Sequence, residues 1–374
     1  MKFNYFHLMP WIKDNSPNQE WPVSNAAFIP EEGSKLYKSY IDTMAFAEQC
    51  NFDMVGCNEH HFSPYGLMAN CNLIGAVLSQ RTERVNIVMC GNLVPLLNPI
   101  RVAEEYAMLD VMSGGRLIAG FMRGIPHEYV AYNIPPDESW ERLTEAFDLI
   151  AKAWTEPTPF GWEGKYYQYR AVSIWPRPVQ KPHPRILMSA SNPDSARFAA
   201  ERRAIMGMVM LTDMAAAKES IRIYRETAEH NGWTPSSDDI LVGAHTCVAD
   251  TAEEAKAHLS EGLRYFYEVL AGGPRTAQRL VTQKTHYFKT ATAPDKAATR
   301  RNLLQTMTIE ERIERGSVLC GTPEMVVNQL KRLKNELGHG IMNINMKIGN
   351  IPDPVVRRSM QLWGEQVAPH VRDL

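Results

Sequence analysis

The run Asn58-Glu59-His60-His61-Phe62 places a carboxylate and two imidazoles at consecutive positions. Histidine titrates near neutral pH, so this run has the means for proton transfer. It follows "FDMVGC" (52–57), a short apolar segment that reads as a buried strand. Successive side chains on a strand point to opposite faces. His60 and His61 therefore cannot both enter one site while the chain stays extended. If His60 faces inward, Asn58 and Phe62 share its face, while Glu59 and His61 face away. No metal is expected, because the histidines diverge and no third ligand has a recognisable spacing. On residue types alone, a supporting role is as open as a catalytic one.

Two further groups have the chemistry to hold an anion. Arg123, in "GFMRGIPHEY", falls just past a predicted strand. A guanidinium there can clamp a phosphate or carboxylate, or form a surface ion pair. "SASNPDS" (189–195) leads from another strand into a helix. Asn192, Asp194 and Ser195 suit helix capping, and the first-turn N–H groups suit a phosphate. These groups belong to consecutive strands, and together they would make a phosphate cradle.

The elements that must position them alternate. Strands are expected at 3–9, 52–57, 84–95, 116–121, 185–191, 205–211, 239–249 and 340–346. Helices fall between them, among them 35–50, 99–112, 139–154, 215–232 and 322–337. Pro99 suits a first helical position, and Ser113-Gly114-Gly115 suits a stop. Parallel strands need crossover helices, and eight such units suggest closure. The expected class is α/β, a (β/α)8 TIM barrel, with an open doubly wound sheet as the alternative. The rhythm breaks after the fourth helix and after the seventh strand. The first break, about 155–184, carries a predicted hairpin near Gly161 and Gly164, then four prolines from Pro176 to Pro184. The second, about 271–316, has weak periodicity. The whole chain, 1–374, reads as one domain. Active sites of such barrels sit at the C-terminal ends of the strands, where the 58–62 run and Arg123 fall.

Composition narrows the partners. A formal net charge of −2 argues against nucleic acid and anionic membrane surfaces. No apolar run reaches a membrane-spanning length, and the N-terminus turns polar by Lys13, so a cytoplasmic location is expected. None of the six cysteines forms a C-x-x-C pair, and reduced, buried thiols are expected. A G-x-G-x-x-G after the first strand, a Walker A motif, H-E-x-x-H and G-x-S-x-G are all missing from the sequence.

Several segments together resemble the bacterial luciferase-like flavin-dependent monooxygenase superfamily. They are "NEHHFSPYGL", "NLVPLLNPIRVAEEYAMLDVMSGGRL", "GFMRG", "WPRPVQKPHPRI", "GTPEMVVNQL" and "RSMQLWGEQVAPHV". Each is modest alone, but their order and spacing cover almost the whole chain. The E-H-H-F and R-G pairs are most similar to the FMN-using, luciferase α-subunit-like branch.

The resemblance implies a two-component monooxygenase. FMN, as FMNH2 from a separate NAD(P)H:flavin reductase, would react with O2 to give a flavin C4a-peroxide. That species would oxygenate a small apolar or heterocyclic substrate. By the same resemblance, His60 is the catalytic histidine, with Glu59, His61 and Asn58 supporting it. Arg123 would hold the flavin phosphate with Ser191, Asn192 and Ser195. Cys90-Gly91 would be a cis peptide beside the flavin, Met122 would line the flavin site, and about 271–316 would form a mobile lid. Trp11, Tyr65, Met9 and Phe6 are candidates for the substrate pocket, with core packing at least as open for Phe6 and Met9. A homodimer formed around the second and third helices is implied. Two departures matter. Met122 replaces a luciferase cysteine, which speaks against aldehyde luminescence, and Ser191 replaces an acidic residue. The competing functions are an F420-dependent oxidoreductase on the same barrel and a non-catalytic flavin-binding subunit.

Overall fold

A computed structural model describes residues 1–17, 19–284 and 306–374. Eight parallel strands close into a barrel. They are β1 (Lys2–Phe6), β2 (Met54–Cys57), β3 (Asn86–Met89), β4 (Leu117–Met122), β5 (Arg185–Ser189), β6 (Ile205–Met208), β7 (Ile240–Val248) and β8 (Ile341–Asn345). Each pairs with the next in sequence, and β8 pairs β1, with Lys2 opposite Ile341. The open alternative is thereby excluded. The strands are buried along nearly their whole length because helices cover the outside and side chains fill the inside.

The covering helices start where short polar side chains permit. Asn98 Oδ1 accepts the N–H groups of Ile100 and Arg101 ahead of Pro99–Met112. Asn70 does the same ahead of Cys71–Arg81. Losing either cap would cost about 1 kcal/mol. Pro99–Met112 matches the span expected from sequence, and Gly114 and Gly115 follow it with positive φ. At the other end of the barrel Trp363, fully buried, packs against Phe3 and Phe52 at 5.3 and 5.8 Å.

Several expected strands are shorter than their apolar runs, for local reasons. β1 stops at Phe6 because His7 Nδ1 accepts the Met9 N–H at 2.8 Å and turns the chain. The expected strand 84–95 is interrupted after Met89. The Cys90–Gly91 peptide is cis, and Asn92–Leu93 resumes pairing beside Phe121–Met122. The Met89 carbonyl crosses directly over Gly120, where an added Cβ would lie 1.6 Å from that oxygen. Only glycine permits this approach.

In the first insertion, Phe160–Glu163 and Gln168–Val172 form the expected antiparallel hairpin. In the second, Gly272–Lys284 is helical, and residues 285–305 of the expected lid lie outside the described residues. The strand Val318–Gly321, unanticipated from sequence, pairs with the outer half of β7. Among the described residues no helix is long and apolar enough to cross a membrane.

Candidate active site

A cavity of about 430 Å³ opens at the C-terminal ends of the strands. Its walls include Asn58, Glu59, His60, Tyr65, Cys90, Met122, Arg123, Ser191, Asn192 and Ser195, so most of the candidates meet in one place. Gly91 adjoins through Cys90. His61 and Trp11 lie off this cavity. Trp11 lines a neighbouring one with Phe28 and Phe62, and its ring sits 4.7 Å from that of Phe28. Phe6 is on the cavity wall, and Met9 is fully buried in the core.

The 58–62 run is not an extended strand. β2 ends at Cys57, and Phe62 has φ +54° and is 58% exposed. Strand alternation therefore fails beyond the strand end. Glu59 lines the cavity beside His60 and Asn58, and Phe62 turns to solvent. The two histidines still diverge. His60 faces the cavity, whereas His61 is buried behind it.

Each histidine is fixed by a different carboxylate. His60 Nδ1 lies 3.0 Å from Glu128 Oε1. The other carboxylate oxygen accepts the Ile125 N–H at 2.7 Å. Glu128 is wholly buried. Pro126 begins the short helix Pro126–Ala131, and its third residue reaches back to the N-terminal N–H, a familiar first-turn arrangement. With Nδ1–H donating to Glu128, Nε2 is the nitrogen left for the cavity. The Tyr65 ring stands edge-on to His60 at 4.7 Å.

His61 Nε2 lies 3.1 Å from Glu59 Oε1, and its Nδ1 lies 3.0 Å from the Tyr132 hydroxyl. The His61 carbonyl lies 2.9 Å from His127 Nε2. Burial pushes the Glu59 carboxyl upward, with the His61 contact working against it. This second pair braces the loop that carries His60.

Arg123 stacks over Trp140 with its guanidinium carbon 5.2 Å from the ring centroid. Across from it, Asn192 Oδ1 accepts the Ser195 N–H at 3.1 Å, and the Ser195 hydroxyl donates back to the Asn192 carbonyl at 2.9 Å. This opens the helix Pro193–Glu201 toward the cavity. Asp194 would oppose an anion, but Arg197 holds it at 2.8 Å. One guanidinium, two serine hydroxyls and a helix N-terminus are a donor set suited to a phosphate ester. Burial raises the Cys90 thiol to about 12, so it stays protonated at neutral pH and is no nucleophile. All six cysteines are buried and free of disulfides. Among the described residues no group of three or more His, Cys, Asp or Glu side chains has a metal-holding arrangement.

Sequence reasoning did not single out Glu128, His127, Tyr132, His245 or Asn345. Pro126 followed two residues later by Glu128 was a readable signal for a helix start with a back-reaching carboxylate. The other four gain their meaning from partners far along the chain.

The family model described as luciferase-like monooxygenase matches residues 19–339. The alkanal monooxygenase alpha chain of Photobacterium leiognathi is 22% identical over 359 residues, 94% of this chain and 99% of that one. The oxygenase component of the flavin-dependent trigonelline monooxygenase of Acinetobacter baylyi is 26% identical over 270 residues, covering 71% and 70%. Among solved structures, a monooxygenase of Streptomyces bottropensis superposes with a TM-score of 0.76 at 25% identity, over 99% of both chains.

Proposed function

Because this chain belongs to the luciferase-like monooxygenase family, we propose that it is the oxygenase of a cytoplasmic two-component system using FMNH2 and O2 on a small organic substrate. The observation that carries the reading is a single cavity. It holds a phosphate-suited donor set on the β4–β5 side and a carboxylate-oriented imidazole after β2.

Arg123, Ser191, Ser195 and the helix N-terminus would hold the FMN phosphate. The isoalloxazine would lie toward Cys90, Met122 and His60. When bound, reduced flavin supplies two electrons to dioxygen, so that one oxygen atom enters the substrate and the other leaves as water. The residues of this chain have three tasks in that chemistry. Glu128 holds His60 in one tautomer and orientation. His60 Nε2 gives or takes a proton at the reacting oxygen. Phe6, Tyr65, Phe121 and Phe266 exclude water that would divert reducing power to hydrogen peroxide.

The separate NAD(P)H:flavin reductase is supported by the trigonelline relative, which is the oxygenase component of its monooxygenase. A homodimer is supported by an apolar stripe on two adjacent helices. Leu73 and Val77 on Cys71–Arg81, with Met108, Val111 and Met112 on Pro99–Met112, are all exposed. Patches of this kind mark association surfaces.

Anaerobic titration tests the cofactor. Reduced FMN should bind tightly, and F420 should bind at least tenfold more weakly. Tight F420 binding with negligible affinity for reduced FMN would contradict the proposal.

A further inference from the structure

The barrel interior becomes polar on the side away from the phosphate-suited groups. Alternate residues of β1, β7 and β8 share a face, and their registers stack them in layers. In the deeper layer Asn4 Nδ2 donates to Asn343 Oδ1 at 2.6 Å, and Asn343 Nδ2 donates to the Val209 carbonyl at 2.8 Å. Two residues nearer the mouth, Phe6 and His245 are both in register with Asn345. All three line the cavity.

This upper layer lacks the partners of the lower one. Among the described residues the Asn345 Oδ1 and Nδ2 and the His245 Nδ1 have no hydrogen-bond partner, and both residues are more than nine-tenths buried. Asn58, two strands further round, adds a fourth such atom in Oδ1. Buried polar groups are costly unless satisfied. Burial lowers His245 to about 3, with Arg312 adding to the effect, so its imidazole is neutral and offers one donor and one acceptor.

The adjoining wall is aromatic. The Phe266 ring lies 5.6 Å from His245 and 5.3 Å from Tyr65, which in turn contacts His60. A flat molecule seated against this wall would have one edge at the polar floor and a face directed toward His60.

We infer that His245 and Asn345 form a binding floor for the edge of an uncharged ring carrying adjacent N–H and C=O groups, as in a lactam or imide. A primary amide pairs with such an edge by two parallel hydrogen bonds. The inference rests on the proposed function only in taking this cavity as the reaction site. Two molecules there could present that edge, an organic substrate or the flavin through its pyrimidine ring.

Calorimetric titration of the flavin-free protein with 2-pyridone and N-methyl-2-pyridone, which lacks the donor, tests this. 2-Pyridone should bind at least tenfold more tightly. Asn345→Leu and His245→Phe should each abolish most of that preference. Spectra of ¹⁵N-histidine in the unsubstituted protein give a reading that needs no variant: the His245 signal should move with 2-pyridone and stay with toluene. Equal binding of the two pyridones, binding of neither, or a preference surviving both substitutions would overturn the inference. FMN affinity in the same variants identifies the bearer of the edge. An unchanged value assigns the floor to substrate, and a parallel loss assigns it to the flavin. Failure of reduced FMN to bind the unsubstituted protein would overturn the proposed function and leave a lactam preference standing.

Discussion

His60 Nδ1 and Glu128 Oε1 lie 3.0 Å apart, although 68 positions separate them in the chain. Glu128 spends its two oxygens on two donors, the imidazole and the Ile125 N–H. A glutamine cannot accept from both, because its amide nitrogen would face one of them and would suit His60 only as the opposite tautomer. Glu128→Gln should therefore misorient His60 and slow turnover about 10- to 100-fold, in the range of other groups that orient a functional histidine. His60→Ala should lose about 10²–10⁴-fold, the usual share of a general acid–base. Oxygen uptake measured against hydrogen peroxide release checks both. Unchanged coupling in Glu128→Gln would show that the pair is merely structural.

Arg123→Ala should weaken FMN about 10- to 100-fold, as expected on losing a charge-assisted hydrogen bond worth about 1.5–3 kcal/mol. Riboflavin lacks the phosphate, so its affinity should change little. Fluorescence titration of both flavins decides. Equal losses would place Arg123 elsewhere than at a phosphate.

The fold should weaken in acid through its buried histidines. Burial lowers His7, His245 and His339 each to about 3, far below the ordinary imidazole value. They stay neutral in the folded chain and become charged when it unfolds. A depressed folded value means that the stability is present above about pH 6.5 and is lost as pH falls toward 3. Denaturant titrations at pH 7 and pH 5 should show lower stability at pH 5. His339→Leu should reduce proton uptake on unfolding near pH 5 by about one. A pH slope unchanged by that substitution would contradict the assignment.

Association is predicted through the exposed stripe on Cys71–Arg81 and Pro99–Met112. Leu73 is 67% exposed and Met108 48%. Sedimentation should give a dimer, and the double variant Leu73→Glu, Met108→Glu should give a folded monomer. A monomeric wild type would remove the proposed interface.

Much of this architecture was legible because period and punctuation agree. Pro99 to Gly115 reads as a capped helix and is one. The strand endings were less legible, because they depend on single events outside any apolar pattern. The His7 ring turns β1, and the Met89 carbonyl crosses over Gly120. The same holds at the site. Strand alternation separated His60 from His61 but misplaced Glu59 and Phe62, because the strand ends before the run begins. Glu128 acquires its meaning from a residue on another loop, and Asn345 from the register of β7 and β8. Pairings of that kind are three-dimensional facts with little local trace.

On the proposed function, this cavity holds reduced FMN and guides its reaction with oxygen through His60. Rapid mixing of the protein–FMNH2 complex with oxygenated buffer tests it most directly. Reoxidation should be at least tenfold slower than that of free FMNH2, with delayed hydrogen peroxide release and a much shorter delay in His60→Ala. Reoxidation at the free-flavin rate, or a delay indifferent to His60→Ala, would contradict it.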